Sequence, residues 1–334
     1  MNFCIVGAGA WGTAMAVHLS GLGHAVTLVA RRVEHALDIA SKRENHAYLP
    51  GITLDNDLQI AFELKPALME AEVVIMACPS TSLREQCERV QEALNSAWQI
   101  KLFISLCKGL EQKTSLLPTE VIREVIPGYR YGVLSGPTFA DEIVRGKPAA
   151  IVFASDAESD LVTTVQEVMS NNALRVYTAS DLRGVELGGC LKNVYAIAVG
   201  ICDGLNLGDN AKAALLTRAL HEVVTLGVQL GGKRESFYGL SGVGDLVSTC
   251  TSEHSRNRAL GKLVATQTEG ERLKSLEGVT LEGYWATGCF LNLCEKYDIE
   301  APILREIYSI LYQSKDPLEG LHDLMQRDLR AEDQ

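Results

Sequence analysis

Three glycines constrain this chain most: Gly7, Gly9 and Gly12 of the run Gly7-Ala8-Gly9-Ala10-Trp11-Gly12, which follows the apolar stretch Asn2 to Val6 and precedes a helical pattern from Thr13 to Gly21. A strand that turns through G-x-G-x-x-G into a helix seats a dinucleotide pyrophosphate. The first glycine permits the tight turn, the second lets the backbone approach the phosphates, the third lets helix and strand pack closely, and the helix N-terminus attracts negative charge. Gly7, Gly9, Ala10, Trp11 and Gly12 are therefore cofactor-binding candidates, and Gly21 suits the left-handed end of the helix. The same stretch imitates a secretory signal, with Ala14-Met15-Ala16 as the cleavage-like site. A signal needs positive charge ahead of its apolar core, and the first basic side chain here is Arg31.

The spacing predicts strands over Asn2 to Val6, Ala25 to Ala30, Glu72 to Ala77, Lys101 to Leu106, Gly132 to Leu134 and Ala149 to Ala154, alternating with helices as βαβ units that build a parallel sheet. No proline lies between Pro148 and Pro302, and Leu187, Leu191, Val194 and Ala198 recur at helical spacing. The expected architecture is an α/β Rossmann domain over residues 1–181 followed by an all-α domain over 182–334, with a polar tail that frays from Arg330.

A formal charge of -11 excludes a general affinity for nucleic acid or anionic membrane, so an anionic ligand must be held by a few local basic groups. A small phosphorylated metabolite fits that requirement. The nine cysteines have no Cys-x-x-Cys spacing and no histidine cluster beside them, which points to reduced, mostly buried thiols in a cytoplasmic protein and to no metal site. No apolar run reads as long enough to span a bilayer.

After the second strand, an NAD enzyme would carry an acidic residue for the ribose 2′-hydroxyl; here the chain has Arg31 and Arg32. Two guanidiniums either stay solvated or pair with the 2′-phosphate of NADP, which makes NADPH the preferred cofactor with NADH possible. Ligands of open α/β sheets sit beyond the carboxyl ends of the strands. There the sequence places Met76-Ala77-Cys78-Pro79-Ser80, Ser105-Leu106-Cys107-Lys108-Gly109 and Leu134-Ser135-Gly136-Pro137-Thr138-Phe139-Ala140. Lys108 is either a surface cation or a contact for substrate oxygens. Further on, Lys192 shares a helix face with Ala196 and Val199; its ammonium either snorkels to water or is desolvated for acid/base chemistry.

The Leu134-to-Ala140 segment, the Leu191-Lys192-Asn193 helix, the Gly242-Val243-Gly244-Asp245-Leu246 loop and the triplet Ser255-Arg256-Asn257, in this order after the glycine turn, resemble the bacterial NAD(P)-dependent glycerol-3-phosphate dehydrogenases. The resemblance runs from Gly7 to about Gly288. It implies reversible reduction of dihydroxyacetone phosphate to sn-glycerol 3-phosphate, supplying phospholipid synthesis, by a cytoplasmic homodimer. It further implies Lys192 as the catalytic proton donor and acceptor. Lys108, Gly136, Thr138, Asn193, Asp245 and Thr249 would surround the substrate, and Ser255, Arg256 and Asn257 would hold its phosphate. Lys108, Ala140, Arg256, Thr280 and Glu282 would join the cofactor contacts. The chain departs from the family at Ala10, where many bacterial members have serine, and at Thr280, where a small aliphatic residue is expected. The nearest rivals are a two-domain hydroxyacid or ketoacid reductase, which needs no phosphate site, and a nucleotide-binding redox sensor, which needs no proton donor.

Overall fold

The computed structural model describes residues 1–94, 99–267, 281–329 and 331. Its strands are β1 (Asn2–Val6), β2 (Ala25–Val29), β3 (Glu44–Asn45), β4 (Leu49–Thr53), β5 (Gln59–Ala61), β6 (Val73–Met76), β7 (Leu102–Ser105), β8 (Arg130–Ser135), β9 (Ala149–Ser155) and β10 (Leu174–Ala179). Eight form one sheet in the order β10-β9-β8-β7-β6-β1-β2-β5, while β3 and β4 pair separately. All six anticipated segments are strands. Their register matters for function: Val6 pairs with Val29 and Met76, and Met76 with Ser105, so β2, β1, β6 and β7 end level. The residues that follow therefore emerge along one edge.

The sheet is not parallel throughout. β9 runs antiparallel to β8, and β10 then runs parallel to β9. Between β8 and β9 the only helix is Ala140–Val144, five residues long. Such a helix rises ~7.5 Å, well short of the ~20 Å of a six-residue strand, so it does not serve as the crossover helix of a βαβ unit, and the chain returns antiparallel. β5 and β10 were not anticipated, because three residues are too few to show a period and because β10 alternates buried with exposed or half-buried positions rather than forming an apolar run. The first helix, Ala10–Gly21, starts inside the glycine turn, and the left-handed residue after it is Gly23 rather than Gly21.

The sheet buries both faces. Phe3, Ile5, Leu28 and Ile104 pack on one side, and Cys4, Val6, Val74 and Phe103 on the other. After β10, the helix Leu182–Gly204 is buried at every position from Gly184 to Cys202 and forms the axis of the helical region. By length and composition it could cross a membrane, contrary to the sequence expectation, yet its apolar window is wholly covered by protein. The helix Arg256–Thr266 crosses it at backbone contact. A Cβ on Gly200 would sit 2.0 Å from the Arg258 carbonyl oxygen, and one on Gly261 would sit 2.0 Å from that of Ile197. A buried ion pair fixes the crossing, because the Arg258 guanidinium donates to Asp203 at 2.6 Å. That pairing joins the end of the axial helix to the first turn of its neighbour, a contact the sequence alone did not reveal.

Candidate active site

The glycine turn forms an open cradle. Gly7 has φ +120°, and a Cβ there would lie 2.4 Å from the Ala77 carbonyl oxygen; one on Gly12 would lie 2.0 Å from that of Gly7. Gly9 has nothing within 4 Å of its Cβ position. Two glycines are thus fixed by packing, and the third leaves backbone accessible at a helix N-terminus that no side chain caps. This arrangement fits a dinucleotide pyrophosphate. Ala10 and Trp11 begin the helix, with Trp11 half-buried against the sheet core. Asn45, a residue sequence reasoning missed, secures the turn by donating to the Ala8 carbonyl at 2.9 Å and to Thr13 Oγ1 at 2.7 Å.

Arg31 and Arg32 follow β2 directly. Both are exposed, and neither side chain makes a hydrogen bond or ion pair with the described residues. Their side chains lie at the sheet edge just beyond β2.

A charged cluster lies between the sheet edge and the helical region. Asp245, 1% exposed, starts the helix Asp245–Thr251. Its Oδ1 accepts from Lys192 Nζ, and its Oδ2 accepts from Lys108 Nζ at 2.6 Å. Lys192 also donates to Thr249 Oγ1 at 2.8 Å, and Lys108 to the Gly136 carbonyl at 3.0 Å. Lys192 does not snorkel. Burial pushes its pKa down to about 8; the Asp245 charge opposes this, and the neighbouring Lys108 ammonium assists it. Thr138 Oγ1 donates to the same Gly136 carbonyl at 3.2 Å, and Ala140 opens the short helix just beyond.

A chain of amides runs beside the cluster. Gly283 N–H donates to Asn257 Oδ1 at 3.1 Å, Asn257 Nδ2 to Asn193 Oδ1 at 2.9 Å, and Asn193 Nδ2 to the Lys108 carbonyl at 2.9 Å. Every amide orientation is set by its neighbours. Ser255 caps the helix Arg256–Thr266, accepting from the Arg258 N–H at 3.2 Å, so its hydroxyl serves the fold as well as any ligand. Arg256, the first residue of that helix, is exposed, and its side chain makes no hydrogen bond or ion pair with the described residues.

Glu282, at the start of the helix Glu282–Tyr297, accepts from the Ser80 N–H at 2.9 Å and from the Ser80 hydroxyl. The bond ties the helical region to the end of β6. Gly109 makes room for it, since a Cβ there would lie 2.1 Å from Glu282 Oε2. Ser80 lay in a segment the sequence analysis flagged but gave no role. Thr280 falls outside the described residues, and among those described no three His, Cys, Asp or Glu side chains could hold a metal.

Lys108, Lys192, Asn193, Asp245, Thr249 and Asn257 thus come together from separate elements, with the glycine cradle on the adjoining sheet edge. Two family models match the chain: the NAD-dependent glycerol-3-phosphate dehydrogenase N-terminus over residues 2–161 and the C-terminus over 181–322. Among curated relatives, the glycerol-3-phosphate dehydrogenase [NAD(P)+] of Nitrosomonas eutropha is 41% identical over 333 residues, 99% of each chain. That of a Thermoanaerobacter species is 41% identical over 332 residues, again 99% of each. The crystal structure of glycerol-3-phosphate dehydrogenase from Coxiella burnetii superposes with a TM-score of 0.90 at 34% identity, covering 98% of this chain and 99% of that one. On these matches to both halves of the model and to full-length relatives, the chain belongs to the NAD-dependent glycerol-3-phosphate dehydrogenase family.

Proposed function

We propose that this chain reduces dihydroxyacetone phosphate to sn-glycerol 3-phosphate, reversibly and with NADPH preferred over NADH, feeding phospholipid synthesis. The reading divides the chain into a cofactor domain, 1–181, and a substrate domain, 182–334, working as a cytoplasmic homodimer. One observation carries it: a buried lysine with its pKa near 8 shares a carboxylate with a second lysine, beside a cradle shaped for a dinucleotide.

Gly7, Gly9, Ala10, Trp11 and Gly12 would hold the pyrophosphate of a nicotinamide cofactor and Arg31 and Arg32 its 2′-phosphate, and that cofactor would supply the hydride when bound. Lys192 donates the proton from Nζ as negative charge develops on the substrate oxygen, and Lys108 adds positive charge beside it. Asp245 keeps the two ammonium groups together. Asn193, Gly136, Thr138 and Thr249 orient the carbonyl end. Arg256 forks onto the phosphate with Ser255 and Asn257 at the same helix N-terminus, where the backbone dipole adds to the attraction. Ala140, Thr280 and Glu282 complete the cofactor contacts. In the oxidative direction neutral Lys192 takes the hydroxyl proton, and a pKa near 8 serves both directions.

Following NADPH absorbance with dihydroxyacetone phosphate, and again with unphosphorylated dihydroxyacetone, tests reaction and cofactor together. Turnover only with the phosphate ester is expected. Equal turnover with a 2-ketoacid, or none with either compound, would replace this reading by one of its rivals.

A further inference from the structure

Beyond the last paired residues of β6 and β7, the chain sets two cysteines side by side. Met76 pairs with Ser105, and the Leu106 N–H donates to the Met76 carbonyl at 3.0 Å. Cys78 and Cys107 each follow the Met76–Ser105 pair by two residues. Adjacent strands lie roughly 4.8 Å apart, within the range of roughly 4.4 to 6.8 Å between Cα atoms that a disulfide accepts. The Cys107 thiol donates to the Cys78 carbonyl at 2.8 Å. Hydrogen bonding with Cys78 is also the largest cause holding the Cys107 thiol well above its usual pKa. The two differ in access: Cys78 is partly open to solvent, and Cys107 is buried.

We infer that Cys78 and Cys107 are a reversible oxidation site, at which a peroxide oxidises Cys78 and Cys107 closes a disulfide. The Cys78 thiolate attacks one peroxide oxygen; the S–O bond forms, the O–O bond breaks, and the leaving oxygen departs as water after taking a proton. Sulfur loses two electrons and becomes a sulfenic acid. The Cys107 sulfur then attacks the Cys78 sulfur, forming S–S and breaking S–O, while its own proton leaves with the expelled hydroxide as a second water. A dithiol returns both electrons and restores the pair.

The site is coupled to the catalytic region by position. The Cys78 backbone nitrogen lies 3.3 Å from where a Gly7 Cβ would be, directly against the glycine turn. Two residues on, Ser80 holds Glu282, and Cys107 immediately precedes Lys108, which holds Asp245. Drawing the two cysteines together shifts all three contacts. Cys87 and Cys190 also lie near Cys107, but both are fully buried.

The test treats the full chain with hydrogen peroxide, alkylates free thiols and maps the linked peptides by mass spectrometry, with NADPH-dependent turnover measured in parallel. A Cys78–Cys107 peptide that disappears with dithiothreitol is expected, together with a loss of turnover of at least about tenfold that the same reductant reverses. Reduced Cys78→Ala and Cys107→Ala should work within a few-fold of the parent and lack the recoverable inactivation. Cys78→Ala suffices if the buried replacement fails to fold. Absence of the linked peptide, linkage of Cys107 to Cys87 or Cys190, or reversible inactivation of Cys78→Ala at the parent's rate would overturn the inference. The turnover readout rests on the proposed function, whereas peptide mapping does not, so a wrong substrate and a wrong thiol pair give different results.

Discussion

Lys192 and Lys108 take opposite oxygens of a single buried carboxylate, Lys192 on Oδ1 and Lys108 on Oδ2 of Asp245. One comes from the axial helix of the helical region and the other from the loop after β7, so the pairing spans the boundary between sheet and helices. Two cations around one anion leave net positive charge in a region with little water, where it acts on a developing alkoxide more strongly than it could at the surface. The same surplus, with burial, keeps Lys192 able to release its proton.

The first prediction is a pH dependence with opposite signs in the two directions. Lys192 has its pKa lowered to about 8. Reduction needs the ammonium, so its kcat should fall as pH rises through about 8, while glycerol 3-phosphate oxidation needs the amine and should rise over the same interval. Lys192→Ala should retain NADPH binding and lose roughly 10² to 10⁴ in kcat, the usual contribution of a positioned acid. A variant within a few-fold of the parent, with the same pH limbs, would make Lys192 a packing residue.

Asp245→Asn should move those limbs toward acid. The carboxylate is the largest influence raising the Lys192 pKa against burial, and Lys108 pushes the other way. With the anion gone, two ammonium groups face each other and the proton leaves more easily. Reduction at pH 7.5 should fall more than at pH 6. A pH profile superposable on the parent's would show that Asp245 does not control the proton.

The sequence disclosed more of the sheet edge than of the contacts across it. Gly7, Gly9 and Gly12 carry their roles in their spacing because a tight turn and two close approaches admit few side chains. The six principal strands were legible because buried parallel strands read as apolar runs. The return of β9 was not, since the connection's length allows either direction and the shortness of its helix, Ala140–Val144, is a property of the folded chain. For Lys192, helical position favoured the solvated reading and left the buried one open. Only the convergence of Asp245, Thr249 and Lys108, from segments more than fifty residues away, removes the first. Asn45 and the role of Ser80 escaped notice because each bonds a partner distant in sequence, Asn45 the Ala8 carbonyl and Ser80 the Glu282 carboxylate, that no local pattern announces.

Arg256 is exposed and uncommitted at the start of its helix, so its fork is available to a phosphate without first breaking an internal bond. A hydrogen bond to a charged group contributes about 1.5 to 3 kcal/mol, so Arg256→Ala should lower kcat/KM by at least about ten- to a hundredfold. Lysine should restore part of this, having the charge but not the fork. Unchanged kcat and KM for dihydroxyacetone phosphate in the alanine variant would place the phosphate anchor elsewhere.

Arg31 and Arg32 are likewise exposed and unpaired among the described residues. Replacing both with uncharged residues should weaken NADPH much more than NADH, measured as Kd by fluorescence titration, because only the former carries a 2′-phosphate. Equal loss for both cofactors would mean that the arginines do not read that phosphate.

The last prediction concerns Glu222, a buried carboxylate outside the active site. Its oxygens accept from the Ile303 N–H at 2.6 Å, the Leu304 N–H at 3.2 Å and the Tyr195 hydroxyl at 3.0 Å, so a side chain of one helix caps the N-terminus of another, Pro302–Tyr312. Burial nevertheless outweighs these three donors and raises its pKa from the usual carboxylate value to about 7. A folded pKa above the unfolded one means that the native state holds the extra proton. The associated stability is therefore present at low pH and lost as pH rises from about 4.5 to about 7. The parent should melt at a lower temperature at pH 8 than at pH 6, and Glu222→Gln, which has no charge to desolvate, should flatten that difference. Glu222→Ala should be less stable than either at both pH values, since it leaves two buried N–H groups and a hydroxyl without acceptors, each costing about 1 to 3 kcal/mol. Calorimetry of the three proteins at the two pH values decides the matter: an identical pH slope in parent and Glu222→Gln would show that Glu222 is ionised throughout and that its three donors prevail over burial.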